Sequence, residues 1–396
     1  VVETSAARQA NRSAVLACLL TADEATRAWL AEATGLSQAT VSRVTDGLIA
    51  EGLVTEGGAV QSGHRGRNAV SLHLTDDVGV VCGIDIGGSN CRMIVSDLRG
   101  RQLARDDDRT PVHLRKSELA EWLARRVRDL TKEQTGPLRA VAIGLPGMVT
   151  EDGLRISGAP NVPQIEGTDF AASLRAAMKL PVTLDNDANL ALLGELRFGS
   201  GRGLSTVVML TIGAGLGGGV AFDGRLLKGR RGMVGEFGYL PAGPSGELAE
   251  ELLSGTGLLR RARAVGIRVS AVSDIFASDA PALLEPLRGQ FDRALLLVLT
   301  AASAAYEPEA VVIGGGLLPV IAERLPGIAA RLNELLPAPP QLRLSELGDR
   351  SGALGAVAAA CQAACTQLGI AESDAAALPA APVIQEVPDV RRATDQ

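Results

Sequence analysis

The sequence predicts an α/β body made of two related halves, preceded by a small helical unit that ends in an extended hairpin. Three observations predict it. Residues 207–212 are an apolar, β-branched run that enters a glycine turn (Gly213, Gly215, Gly217, Gly218, Gly219) and returns as an apolar segment at 220–222, the pattern of a buried strand folding back on itself. Residues 80–90 repeat the device, with 91–96 as the returning strand and Asp85 just before the glycines. Residues 1–75 lack it and carry apolar residues at helical spacing instead.

Composition narrows the class. At 396 residues the chain has ample length for a buried core, and its length suggests roughly two to three domains. A net charge of −6 argues against a general polycation. The five cysteines (Cys18, Cys82, Cys91, Cys361, Cys365) are scattered, with no disulfide framework around them. Cys361 and Cys365 share a helix face and read as two small core residues. The longest apolar run, from 294 into small residues up to 306, falls short of the about 18 residues a membrane span needs. No signal peptide is evident, and the expected location is the cytoplasm.

In chain order, residues 12–20 read as a helix with Val15, Leu16 and Leu19 on one face. Leu30, Ala31, Val41, Val44 and Leu48 then recur at helical spacing across two short helices, with Gly35 and Leu36 between them and Ser37 as the second N-cap. That is helix-turn-helix spacing. The exposed face of the second helix carries Gln38, Thr40, Ser42 and Arg43, beside the capping Ser37. These residue types can touch base edges or phosphates. Leu53 and Val54 lead to Gly57-Gly58, and Val70, Leu72 and Leu74 alternate on the return, so a winged hairpin is expected with His64, Arg65 and Arg67 at a basic tip. The unit is not net basic, which keeps a helical protein-binding module open as the alternative.

Residues 76–79 join this unit to the body. A helix is expected over 111–130, and a strand at 139–149 runs into a Pro-Gly loop containing Gly147. A second loop, 159–163, contains Asn161. Residues 182–195 read as a strand ending at Asp185-Asn186-Asp187 with a helix starting there, so Asp187 can be an ordinary helix cap. A buried helix at 295–305 precedes a strand running into Gly314, Gly315 and Gly316. A small-residue helix begins at 351, and from about 371 the Ala-, Pro- and acid-rich composition predicts a disordered tail. The 213–219 turn alone is equally an ordinary tight hairpin or an anion cradle, since glycine lets backbone N–H groups approach a ligand; the second copy at 80–96 favours the cradle, and the turn at 314–316 can also be a tightly packed strand end.

Together these motifs resemble the ROK family of repressors and sugar kinases, over nearly the whole chain to about residue 370. The resemblance implies a winged helix-turn-helix (1–75), a two-lobed actin-like, ribonuclease H-like duplicated body (first lobe 76–195, second lobe 196–350), a helix returning to the first lobe (351–370) and the tail (371–396). It makes Asp187 the match for the base that takes a proton from a sugar hydroxyl. Gly147, Asn161, Asn186, Asp187, Glu236, Tyr239 and Glu250 match sugar-binding positions. Asp85, Gly87, Gly88, Ser89, Gly213, Gly215, Gly217, Gly314 and Gly315 match nucleotide- or phosphate-binding ones. Three departures stand out. Tyr239 replaces the family's histidine, and the zinc-binding cysteines after it are missing, so zinc is not expected. Asn90 stands where kinases of the family have lysine. The implied partners are double-stranded operator DNA and a sugar or sugar phosphate, with no membrane and a homodimer or homotetramer as the assembly; ATP with Mg is the cofactor a kinase would need. The expected function is a regulator, a repressor by resemblance, that senses a sugar, with an active ATP-dependent hexose or N-acetylhexosamine kinase as the alternative.

Overall fold

The computed structural model describes residues 5–22, 24–60, 69–371 and 374. The N-terminal unit consists of helix α1 (Ser5–Thr21), strand β1 (Ala25–Thr26), helices α2 (Arg27–Thr34) and α3 (Gln38–Ala50), and strands β2 (Val54–Val60) and β3 (Ala69–Leu74). Thr26 caps α2 by accepting the Trp29 N–H, and Gly35 ends it at φ 69°. Ser37 caps α3 through the Thr40 N–H. Strand β3 lies between β1 and β2. The Gly57-Gly58 pair does not end the outgoing strand, which runs on to Val60. It sits inside β2 at a register shift between Glu56 and Ala59, and Gly57 leaves no room for a Cβ beside Ser71. A glycine bulge, not a turn, is therefore what the pair encodes.

The first sheet contains β4 (Val80–Ile86), β5 (Asn90–Asp97) and β6 (Gln102–Arg109). Helix α4 (Lys116–Thr131), β7 (Leu138–Leu145), the small hairpin of β8 (Met148–Val149) and β9 (Ile156–Ser157), α5 (Asp169–Met178), β10 (Val182–Asn186) and α6 (Asp187–Phe198) follow. Helix α4 starts later than the expected 111, because 111–115 turns and the Glu118 carboxylate accepts the Arg115 N–H at 2.9 Å. The second sheet contains β11 (Val207–Ile212), β12 (Leu216–Phe222) and β13 (Arg225–Leu226). Helices α7 (Ala249–Leu253), α8 (Gly255–Ala264), α9 (Ser273–Phe276) and α10 (Glu285–Tyr306) come next, then β14 (Ala310–Gly314), α11 (Leu318–Leu335), β15 (Gln341–Leu344) and α12 (Ser351–Gln367).

The two sheets have one topology. The order is β10-β7-β4-β5-β6 in the first and β13-β12-β11-β14-β15 in the second. In each, a three-strand antiparallel meander comes first, and two strands are then added parallel to its first strand. Helices α6 and α12 cross between the lobes in backbone contact: a Cβ on Gly355 would overlap the Leu190 carbonyl, and one on Gly194 would press on Ser351. Gly83 likewise lets α12 lie directly on β4. The sequence boundary drawn at 195/196 falls inside α6.

The winged unit is not packed separately. Its core residues Val15, Leu16, Leu19, Leu30 and Leu72 form one apolar cluster with Val81, Leu354, Val357, Ala364 and Leu368 of the body. Hydrogen bonds close the seam: Arg99 donates to the Leu19 and Ala22 carbonyls at 3.2 and 2.8 Å, and Gln9 donates to the Gly369 carbonyl at 3.0 Å. Of the expected disordered tail, Ala371 and Asp374 are instead held by Ser13; 372–373 and 375–396 lie outside the described residues.

Candidate functional site

Strand β10 ends at Asn186, whose side-chain oxygen accepts the Ala188 and Asn189 N–H groups at 2.9 and 3.1 Å. Its amide donates to the Gly147 carbonyl at 2.9 Å. Asn186 is thus the cap that starts α6 and ties it to the first-lobe loop. The cap puts Asp187 at the first helical position. Burial raises its pKa to about 6 against hydrogen bonds such as that from the Ala188 N–H.

Three more carboxylates face the same space. Asp85, at the end of β4, is raised to about 7 by burial and then by Asp187; Arg92 opposes the rise but is itself paired to Asp349 at 2.8 Å. Gly352 at the start of α12 lies against the Asp85 carboxylate. Glu236 is raised to about 7 by burial, then by Asp187 and Glu250. Burial also raises Glu250, against the hydrogen bond it accepts from the Leu216 N–H at 2.8 Å. No described residue donates a hydrogen bond to the Asp85 or Glu236 side chains. Half-buried carboxylates without donors suit a ligand that supplies hydroxyl donors, because lost hydration has to be replaced. An Asp with pKa near 6 is also suited to general-base work.

The glycine turns are used unequally. In the first, the Gly87 N–H bonds the Asn90 carbonyl at 2.8 Å, and Thr110 ties down the Gly87 and Ser89 carbonyls. Gly88 faces Asn161, which brings those two expected residues together. In the second, Gly213 and Ala214 are bound through their carbonyls to Gly255 and Thr256 at 2.7 Å each. Gly215 lies beside Glu250 and Gly213 beside Gly316. Gly217 sits against Thr211 and Ala188, so the absence of its Cβ serves packing onto α6. Gly314 packs on Met209 and Ser345, and Gly315 (φ 95°) on the Ile212 carbonyl. Gly147 (φ 88°) is needed where its loop meets Ser157 and Gly158. Tyr239, 54% exposed, brings its hydroxyl across to Gly158 of the first lobe.

Sequence reasoning missed one pair. The Asp185 carboxylate, 5% exposed, is paired to Lys228 Nζ at 2.7 Å, and it accepts the Asn186 N–H at 2.8 Å and the Asn189 amide at 3.0 Å. Its place beside Asn186 was the only local signal.

In the N-terminal unit Gln38 and Arg43 are exposed on α3, with Thr40 and Ser42 half-buried. The Ser37 hydroxyl is engaged with Thr40, by its N–H at 3.1 Å and its hydroxyl at 2.9 Å. Several acids that offset the basic charge are paired internally: Arg27 with Asp46 and Glu56 at 2.9 Å each, and Arg12 with Glu51 at 2.7 Å. His64, Arg65 and Arg67 lie outside the described residues.

Comparison with known proteins places this geometry. The xylose repressor of Caldicellulosiruptor bescii is 32% identical over 235 residues, covering 59% of this chain; the match spans 58% of the repressor's length. A ROK family glucokinase from Streptomyces griseus, solved with glucose and AMPPNP, matches at TM-score 0.60 and 27% identity over 72% of this chain and 100% of its own. A ROK family transcriptional regulator described as a homolog of the E. coli MLC protein shares the fold of both units, at TM-score 0.75 and 22% identity over 93% of this chain and 99% of its own. No helix among the described residues is long and apolar enough to cross a membrane. The ROK family profile matches residues 81–363 and the IclR helix-turn-helix profile residues 13–58, so the chain belongs to the ROK family and carries a helix-turn-helix domain ahead of its sugar-kinase-like body.

Proposed function

We propose that the protein is a DNA-binding transcription regulator, a repressor, whose kinase-like body senses a sugar or sugar phosphate in the carboxylate-lined cleft. The observation that carries this reading is the continuous core joining the winged unit to α12. The same helix crosses α6, which begins with Asp187. A ligand that changes how the lobes meet therefore acts on the helix that seats the DNA-binding unit, and it shifts the equilibrium by its preference for one arrangement. A homodimer or homotetramer would present paired α3 helices to a two-fold operator.

The second reading is a working ATP-dependent sugar kinase with an accessory DNA-binding domain. Asp187, with its proton affinity near neutral, favours it. Asn90 opposes it, because no lysine stands there to offset phosphate charge.

One assay pair separates the readings: ADP release from Mg-ATP over a panel of hexoses, pentoses and N-acetylhexosamines, and release of bound operator DNA by the same sugars. The sensor reading expects DNA release without turnover. Turnover lost in Asp187→Asn establishes the kinase, and no effect of any sugar on DNA binding removes the sensor.

A further inference from the structure

We propose that Lys228 is a positioning residue that sets the second-lobe carboxylate Glu236 against the first-lobe Asp187 by clamping across the cleft; this rests on the sensor reading above. The chain between β13 and Glu236 makes a short excursion. It leaves the second lobe where the Leu227 N–H bonds the Val220 carbonyl at 2.8 Å. Lys228 then reaches Asp185 on β10, and Gly232 (φ 74°) presses on the backbone of Val149 in β8. The segment returns at Gly235, which is in backbone contact with Gly218 of β12. Glu236 comes next. Both ends of the excursion belong to the second lobe and its middle to the first.

The anchor point matters as much as the strap. Asp185 is 4% exposed and has three donors: the Asn186 N–H, the Asn189 amide and the Lys228 ammonium. Asn186 in turn caps α6 and binds Gly147. One ion pair thus fixes the strand end that carries Asp187 and the loop that carries Glu236. A buried carboxylate deprived of the cation paired to it is strongly destabilised where it stands, so loss of Lys228 disturbs both sides at once. Among the described residues the ion pair of Lys228 is with Asp185, and none joins it to Asp85, Asp187, Glu236 or Glu250.

The test uses the full chain with D-glucose, D-xylose and N-acetyl-D-mannosamine as probes, by calorimetric titration. In Lys228→Met, affinity for whichever probe the native chain binds falls about tenfold or more, the loss expected when a supporting contact shifts a binding group. Lys228→Arg, which keeps the charge, restores most of it. Amide hydrogen exchange of residues 233–240 without sugar gives a second readout, accelerated in Lys228→Met and not in Lys228→Arg. Native sugar affinity and native exchange in Lys228→Met overturn the proposal, as does an equal loss in Lys228→Arg. If the native chain binds none of the probes, the sensor reading fails for those sugars, and the sugar-free hydrogen exchange alone decides the clamp: native exchange in Lys228→Met overturns it.

Discussion

The two ends of α6 treat their carboxylates in opposite ways. At the C-terminal end Glu195 is fully buried. It accepts the Ser200 N–H and hydroxyl at 2.9 Å each, the Ser345 hydroxyl at 2.5 Å and the Leu347 N–H at 3.2 Å. At the N-terminal end Asp187 faces Glu236 and Asp85, two side chains to which no described residue donates. The protein fills the acceptor sites of Glu195, answers Asp187 in part through the Ala188 N–H, and leaves the two acids facing it without donors among the described residues. A buried acid with all its acceptor sites filled is structure, whereas acids pushed together without donors cost stability unless something else binds them. That contrast, more than burial, separates framework from site in this chain.

Breaking the framework end has the largest expected effect. Glu195→Ala leaves four donors unanswered, three of them buried, and cuts α6 from the segment before α12. A loss of about 3–5 kcal/mol is expected in denaturant unfolding, and a loss below about 1 kcal/mol would contradict its structural role. Gly355→Ala forces the α6–α12 crossing apart; about 2–3 kcal/mol is expected, with weakened sugar control of DNA binding as the added signature.

The site end behaves in reverse. Glu236, Asp85 and Asp187 have pKa values raised to about 7, 7 and 6, above the roughly 4 of an unfolded carboxylate. Between those limits the folded state holds more protons than the unfolded one, so stability falls as pH rises through this window. Glu236→Gln removes part of that fall. Its melting temperature should exceed the native value at pH 8 and converge with it near pH 4, while sugar affinity is weakened but still measurable. Equal curves at both pH values would mean that Glu236 is already well solvated.

The smallest effect belongs to a third helix end. Ser37→Ala removes the cap of α3, costing about 1 kcal/mol, with a modest drop in DNA affinity if that helix enters the groove. Unchanged DNA affinity would point to a different contact surface.

What was legible in the sequence follows from how local each signal is. The glycine turns, the Asn186-Asp187 helix start and the Gly35/Ser37 punctuation are encoded within a few residues, and the elements they mark lie where expected. Strand β6, QLARDDDR, carries a run of charges in place of an apolar alternation and so gives no strand signal in the sequence. It is an edge strand, where charge is tolerated, and its buried Asp106 is answered by Arg126 from α4. The Lys228–Asp185 pair and the seam between Ser13 and the residues after α12 join positions far apart in the chain, and no window of sequence contains both partners. The packing role of Gly217 was hidden for the same reason, since its neighbour Ala188 lies on another element.

The most direct measurement is the proton inventory of sugar binding, obtained by titrating the native chain and Glu236→Gln near pH 6.5 in buffers of different ionisation enthalpy. Sugar hydroxyls that donate to raised carboxylates favour their ionised form. The account therefore predicts proton release by the native chain and a smaller release by the variant, which keeps Asp85 and Asp187. A binding heat identical in every buffer, or a variant that binds and releases protons like the native chain, would place the sugar somewhere other than the carboxylate end of α6.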